Sequence, residues 1–219
     1  MPTDYRKAAD LPQVIPIFPL DGAVLLPGGQ LPLNIFEPRY LNMLDDAMVG
    51  DRIIGMVQTR AGRHRAQPGL ATVGCVGRVT SFSETSDGRY MITLTGVCRF
   101  KVGDELPVRS PYRQVRADFT AFEHDLIGDA TEIPAPDRVE FLTALRRYLV
   151  HRGLDIAWTT AESAPTAALV NSLAMALPFE AAKKQALLET RTIYERCAAL
   201  NALFEIDAAD SDGAPSAMQ

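Results

Sequence analysis

Residues 72–102 read TVGCVGRVTSFSETSDGRYMITLTGVCRFKV, and this stretch decides the fold class of the N-terminal half. Two long runs rich in Val, Thr, Phe and Tyr flank Asp87-Gly88. That pair tolerates the positive φ of a tight turn, so a β-hairpin is predicted. In the second arm Tyr90, Ile92 and Leu94 alternate with Met91, Thr93 and Thr95, which sends one set to a core and the other outward. Gly74, Gly77 and Gly96 lie inside the arms. Glycine within a strand marks a bulge or the close approach of another backbone, and no helix start follows that would make these a phosphate cradle.

The same texture extends outward, from Val14 to Phe122, as short apolar runs punctuated by Gly and Pro. Val14–Leu20 carries Pro16 and Pro19, which cannot donate to a ladder, so the run belongs at an edge or bulge. Pro27-Gly28-Gly29 turns the chain between Ala23–Leu26 and Gln30–Phe36, and Arg52–Thr59 reads as a strand. Pro38 suits a helix's first turn, and Tyr40, Leu41, Leu44, Ala47 and Met48 follow at helical spacing, predicting a helix over about 38–49. Ala61–Gly69 mixes Gly, Pro and basic residues without a period and reads as an exposed loop. Val115, Ala117 and Phe119 alternate with Gln114, Arg116 and Asp118, giving a last strand.

After Glu123 the pattern changes. Val139, Leu142, Leu145 and Leu149, widened by Phe141 and Tyr148, share one helical face up to Gly153. Ser163 is placed as the cap of a second helix reaching Leu177, with Pro165 in its first turn. A third helix is predicted over 180–204, where Ile193, Cys197, Leu200 and Phe204 share a period. The expected organisation is a β-rich lobe over 1–122, a linker at 123–137, a helical bundle at 138–206 and a polar, disordered tail at 207–219. The fold class is α+β.

A formal charge of −5 and a pI near 5.2 argue against nucleic acid as a partner, because that affinity comes from clustered Lys and Arg. Cys75, Cys98 and Cys197 are too few and too widely spaced for a disulfide framework or a CxxC metal site, and read as reduced, buried thiols. His64, His124 and His151 lack a ligand spacing, so no metal or other cofactor is expected. With no leader and no long apolar run, the expected setting is cytoplasmic and off the membrane.

Several stretches together resemble one family. Ile17-Phe18-Pro19-Leu20, Leu26-Pro27-Gly28, Leu31-Pro32-Leu33 and Ile35-Phe36-Glu37-Pro38-Arg39-Tyr40 resemble the opening of Lon N-terminal domains. Gly74-Cys75-Val76-Gly77-Arg78, Gly88-Arg89-Tyr90, Gly96-Val97-Cys98-Arg99-Phe100 and Pro111-Tyr112 continue the likeness in order. Leu177-Pro178-Phe179 and Lys184-Gln185-Ala186-Leu187-Leu188-Glu189 resemble the segment that closes the domain, with Lys183 where the family commonly has an acid. The resemblance spans residues 14–206 and implies a PUA-like pseudo-barrel followed by a helical bundle. It also implies a stand-alone substrate-binding domain that stops before the ATPase and peptidase modules, and no GxxxxGK[ST] phosphate loop occurs in the chain.

The expectation for function is a non-enzymatic module that binds unfolded or extended polypeptide or a partner protein, as an adaptor in protein quality control, with self-association compatible. Phe36, Glu37, Arg39 and Tyr40 are candidate binding residues, because aromatic and charged groups emerge together where strand gives way to helix, and Arg99 beside Phe100 is a second candidate pair open to the same two readings. The competing reading of the first four is a local ion pair that fixes the helix. A small-ligand sensor with a cleft between the lobes is the alternative function, and a Cys-His hydrolase using Cys75 or Cys98 is a third. Asp45-Asp46 reads as a solvated helix face.

Overall fold

The computed structural model describes residues 5–64, 67–107, 109–127 and 135–212. It is an α+β structure that divides into two compact units. The first contains residues 5–127 and, from further along the chain, 171–189. Its strands are β1 (Val14–Pro19), β2 (Gln30–Ile35), β3 (Ile53–Val57), β4 (Thr59–His64), β5 (Gln67–Leu70), β6 (Val73–Glu84), β7 (Tyr90–Glu105) and β8 (Gln114–Asp118).

The predicted hairpin is the axis of this unit. Strand β7 pairs with β6 along most of its length, with β2 through Tyr90–Thr95 and with β8 through Lys101–Glu105. The order β7-β6-β3-β1-β8 returns to β7, which closes a ring and leaves β2 as an added strand. Closure needs curvature, and the ladder breaks register between Val76 and Gly77 and between Val79 and Ser81, as bulges do when they bend a sheet. Gly88 closes the turn at φ +77°. A side chain on Gly96 would collide with the carbonyl oxygen of Leu26; that close approach is fixed by Gly28 N–H donating to Gly96 O and Gly96 N–H to Gly29 O, at 2.9 and 2.8 Å. Ile15, Ile17, Leu26, Ile54, Cys75, Leu94, Phe100 and Val115 fill the interior, as the alternation in β7 and β8 predicted.

Several local expectations are corrected here. Strand β1 lies inside the strand order, but it divides its pairing: Val14–Pro16 against β8 and Ile17–Pro19 against β3. Residues 23–26 form no strand; Val24, Leu25 and Leu26 are buried as an irregular segment. Residues 59–70, read largely as a loop, hold the paired strands β4 and β5, a backbone pairing that a Gly- and Pro-containing sequence does not announce. Helix α1 (Pro38–Val49) matches its expected span, with Tyr40, Met43, Leu44 and Ala47 facing inward.

Two further helices, α2 (His124–Ile127) and α6 (Ala181–Glu189), belong to the same unit. Residues 123–127 were expected in a linker, but Asp125 is buried against the sheet; the rest of that expected linker up to residue 134 lies outside the described residues. Residues 171–189 were expected in the helical lobe and instead cluster with the sheet. Side-chain bonds to backbone carbonyls hold them there: Asn171 Nδ2 donates to Pro27 O at 2.9 Å and Gln185 Nε2 to Val73 O at 3.1 Å.

The second unit contains the described residues 135–170 and 190–212, with α3 (Ala135–Arg152), α4 (Trp158–Ser163), the start of α5 (Thr166–Ala176) and α7 (Ile193–Asp212). On α3 the buried stripe is Phe141, Ala144, Leu145, Tyr148 and Leu149, whereas Val139 is 67% exposed, so the stripe is rotated from the expected face. Phe204 of α7 lies 4.8 Å from the Tyr148 ring and 6.0 Å from Phe141. Ser163 ends α4 and donates to Thr159 O at 2.8 Å; it does not cap α5. The single helix expected over 180–204 breaks at 190–192, where Thr192 accepts from Glu195 N–H and the Glu195 carboxylate accepts from Arg191 N–H, a variant of the capping box. Beyond Ile206 the expected tail is helical to Asp212, with Asp207 paired to Arg152; 213–219 lie outside the described residues. Among the described residues no helix is long and apolar enough to cross a membrane.

Candidate functional site

The junction between β2 and α1 places the first candidate group. Pro38 starts the helix and Glu37 precedes it in extended backbone, without a side-chain cap bond. Arg39 turns back on Glu37 through two contacts of 2.8 and 2.9 Å, with both side chains about half exposed. Its guanidinium also lies 4.5 Å from the centre of the Tyr40 ring. Phe36 is 61% exposed, and Arg89 of the hairpin turn stands 5.9 Å from its ring. Arg89 is itself tied to Asp87 at 2.9 Å.

The hairpin end adds aromatic surface to the same end of the sheet. Ile35 pairs with Tyr90, and Tyr90 with Glu84. Phe82 packs edge-on to Tyr90 at 5.0 Å and stays 41% exposed, and Met91 is 45% exposed. The Tyr90 hydroxyl is bonded to Asp45, which raises its pKa. Tyr112 donates to Asp46 at 2.7 Å, and burial followed by that bond raises its pKa as well. Asp45 and Asp46 are thus more than a solvated face: each holds a phenol in place.

Three of the six predicted residues do not belong to any surface. Tyr40 is buried, its ring edge-on to Phe18 at 4.3 Å, with Leu33, Ile35, Met43 and Ile92 around it; burial pushes the phenol's pKa up. Phe100 is fully buried in the ring of strands, tilted against Phe119 at 5.9 Å. Arg99 is 2% exposed. Its Nε and Nη2 donate to the two oxygens of Asp125 at 2.9 and 2.8 Å, its Nη1 donates to Leu188 O at 3.1 Å, and its Nη2 lies 3.1 Å from His124 Nε2. A guanidinium only donates, so His124 Nε2 is the acceptor there. The face of the guanidinium stacks 4.5 Å from the Phe122 ring. Arg99 therefore binds α2 and α6 to the sheet, and its sequence neighbourhood of apolar residues was the signal for an inward position.

The closing motif works in the same way. Lys184, buried, donates from Nζ to Met175 O at 2.9 Å, placing a cation on the last turn of α5; burial lowers its pKa. Gln58, also buried, accepts from Gly22 N–H and donates to Ala181 O and to Gln185 Oε1, at 3.2, 2.9 and 3.0 Å. Sequence reasoning passed over Gln58 and Asn171. A polar residue directly following the apolar run Ile53–Val57 was the available signal for the first.

The thiols are not arranged as nucleophiles. Cys75 and Cys98 are buried, desolvation raises both thiol pKa values, and Cys98 Sγ donates to Phe122 O at 3.4 Å. A nucleophilic cysteine requires the opposite shift.

A family model described as the ATP-dependent protease La (LON) substrate-binding domain matches residues 14–205. The chain belongs to this family. It is 34% identical over 137 residues to Lon protease 2 of Myxococcus xanthus, covering 61% of this chain and 16% of that protein. Against the Lon protease of Roseiflexus castenholzii the identity is 25% over 198 residues, 89% of this chain and 24% of the other. The chain thus spans a quarter or less of the length of these Lon relatives. Two solved structures share the fold at a TM-score of 0.63 each. One is a Lon N-terminal domain protein from Xanthomonas campestris, with 23% identity over 86% of this chain and 97% of that one. The other is the N-terminal domain of the Mycobacterium avium complex Lon protease, with 16% identity over 88% and 98%. For this LON substrate-binding domain, the motif residues divide into those that hold the domain together and the exposed few at the β2–α1 junction.

Proposed function

We propose that this LON substrate-binding domain is a non-catalytic, cytoplasmic module that holds extended or unfolded polypeptide, acting as an adaptor in protein quality control. Phe36 is the apolar anchor, and the Glu37–Arg39 pair orients the bound chain. The observation that carries this reading is the 61% exposure of Phe36. It sits at the junction of β2 with a proline-started helix, beside a local ion pair. An aromatic anchor supplies much of the energy of a small interface, while adjacent charges govern specificity and encounter. Membership of a family of substrate-binding domains supports the same class of ligand.

The test is capture of a reduced, carboxymethylated protein by the wild type and by Phe36→Ala. The variant is expected to lose about 1–2 kcal/mol of binding with an unchanged melting midpoint, because the ring contributes little to the core. Equal capture by two folded proteins rejects Phe36 as the anchor.

A further inference from the structure

The hairpin carries an open strand edge. Strand β3 begins at Ile53, opposite Arg78, and the last bond on that side of β6 is Val79 N–H to Arg52 O at 2.9 Å. The register shift between Val79 and Ser81 then carries the strand past β3. From Thr80 to Glu84, β6 has β7 on one side and no strand on the other among the described residues, and all five residues are exposed.

The direction of the free groups follows from the hairpin. Thr85 N–H donates to Arg89 O at 2.9 Å, so Thr85 faces β7. Groups alternate along an antiparallel pair, so Ser83 faces β7 too, while Phe82 and Glu84 turn their N–H and C=O groups to the open side. The same alternation carried across β7 points Gln30, Pro32 and Asn34 of β2 outward at the opposite border, where Pro32 removes the central donor. Proline at an edge is a block to further pairing. The β2 border is blocked and the β6 border is not.

We propose that the edge Ser81–Glu84 of β6 accepts the bound polypeptide as an added β-strand. This rests on the polypeptide-binding reading and specifies its mode: recognition through backbone hydrogen bonds, which are common to all sequences. The side chains add a preference. Phe82 and Glu84 lie on one face of β6, two residues apart, and Arg89 is already paired with Asp87. Residues opposite each other in a sheet interact directly. The matching segment therefore places an apolar residue against Phe82 and a basic one two positions away against Glu84.

The probe is a short unstructured peptide alternating Lys-Thr-Phe-Thr, compared with the same peptide carrying glutamate for lysine. Glu84→Pro removes the outward donor and spares the bonds to β7, whereas Glu84→Ala keeps the donor and removes the charge. Glu84→Pro is expected to bind either peptide about fivefold more weakly than Glu84→Ala, the loss of one net backbone bond. The wild type is expected to prefer the lysine peptide, and Glu84→Ala to lose that preference. In the wild type, NMR-detected amide exchange at Phe82 and Glu84 is expected to slow when the lysine peptide is added, a measurement that does not depend on the proline variant folding. Equal affinity of folded Glu84→Pro and Glu84→Ala, or unchanged exchange at saturating peptide, overturns the edge while leaving polypeptide binding intact. Protection of this edge by a second copy of the chain in place of peptide also overturns it. If the wild type captures neither peptide nor carboxymethylated protein, both readings fall.

Discussion

Replacing Arg99 by methionine keeps most of the side chain's length and removes its five donors. In the structure those donors satisfy both oxygens of Asp125 and the carbonyl of Leu188, and the pair is buried, with side-chain exposures of 2% and 7%. The variant leaves a carboxylate without its counter-charge in a place water barely reaches. Breaking such a pair from one side costs about 3–5 kcal/mol, and the unpaired Leu188 carbonyl adds to it. Set against a total stability of roughly 5–15 kcal/mol, this is a large fraction. At this chain length it corresponds to a fall in the melting midpoint of roughly 6–20 °C. Urea unfolding followed by circular dichroism measures the loss, and hydrogen exchange locates it, with amides of α2 and α6 opening first because Arg99 joins both to β7. The decisive comparison is the double variant Arg99→Met with Asp125→Leu. Removing both charges eliminates the uncompensated carboxylate, so the double variant is expected to recover part of the loss, with the Leu188 carbonyl and the Arg99 backbone N–H, which donates to Asp125 Oδ2 at 3.0 Å, still lacking these partners. A single variant that costs under about 1 kcal/mol, or a double variant no more stable than the single one, refutes the buried-pair account.

Tyr40→Ala is expected to destabilise the protein by about 3 kcal/mol through the cavity left beside Phe18, while Arg39→Ala, which breaks an exposed pair and the contact of the guanidinium with the Tyr40 ring, costs about 1 kcal/mol; equal effects in thermal melts contradict the burial of Tyr40. The thiols of Cys75 and Cys98 are pushed up from an ordinary value of 9.0 by burial. Their contribution is complete below pH 9, where both states are protonated, and declines above it, because the unfolded thiols ionise while the folded ones do not. Stability should fall by up to about 1.4 kcal/mol per pH unit for each thiol above that point, and both should resist alkylation until the chain unfolds. Rapid labelling of either in the native protein contradicts their burial.

The hairpin was legible because its two signals are local. Asp87-Gly88 supplies the turn, and the alternation in Tyr90–Thr95 assigns the two faces within a few residues. Helix α1 was legible for the same reason, from Pro38 and the spacing of Tyr40, Leu44 and Ala47. The break between α6 and α7 was legible in principle: Thr192-Ile193-Tyr194-Glu195 is a capping signature, outweighed in reading by the apolar period running across it.

The candidate site was less legible. Aromatic and charged residues at a strand–helix junction look alike in sequence whether they face water or the core, and Phe36 and Tyr40, four residues apart, divide in opposite directions. The sequence by itself determined the α+β class, the ring-forming strands and the family, because turn residues, alternation and helical period act over short separations. Tertiary structure alone decided that residues 171–189 join the sheet, since Gln58 and Gln185 meet across 127 positions of chain. It alone decided that Arg99 faces Asp125 and Leu188, and that among the described residues no strand lies beyond Thr80–Glu84 of β6, while β2 presents Pro32 at its border. Burial and pairing of this kind depend on which distant segment arrives opposite, and no local pattern of residue types encodes that.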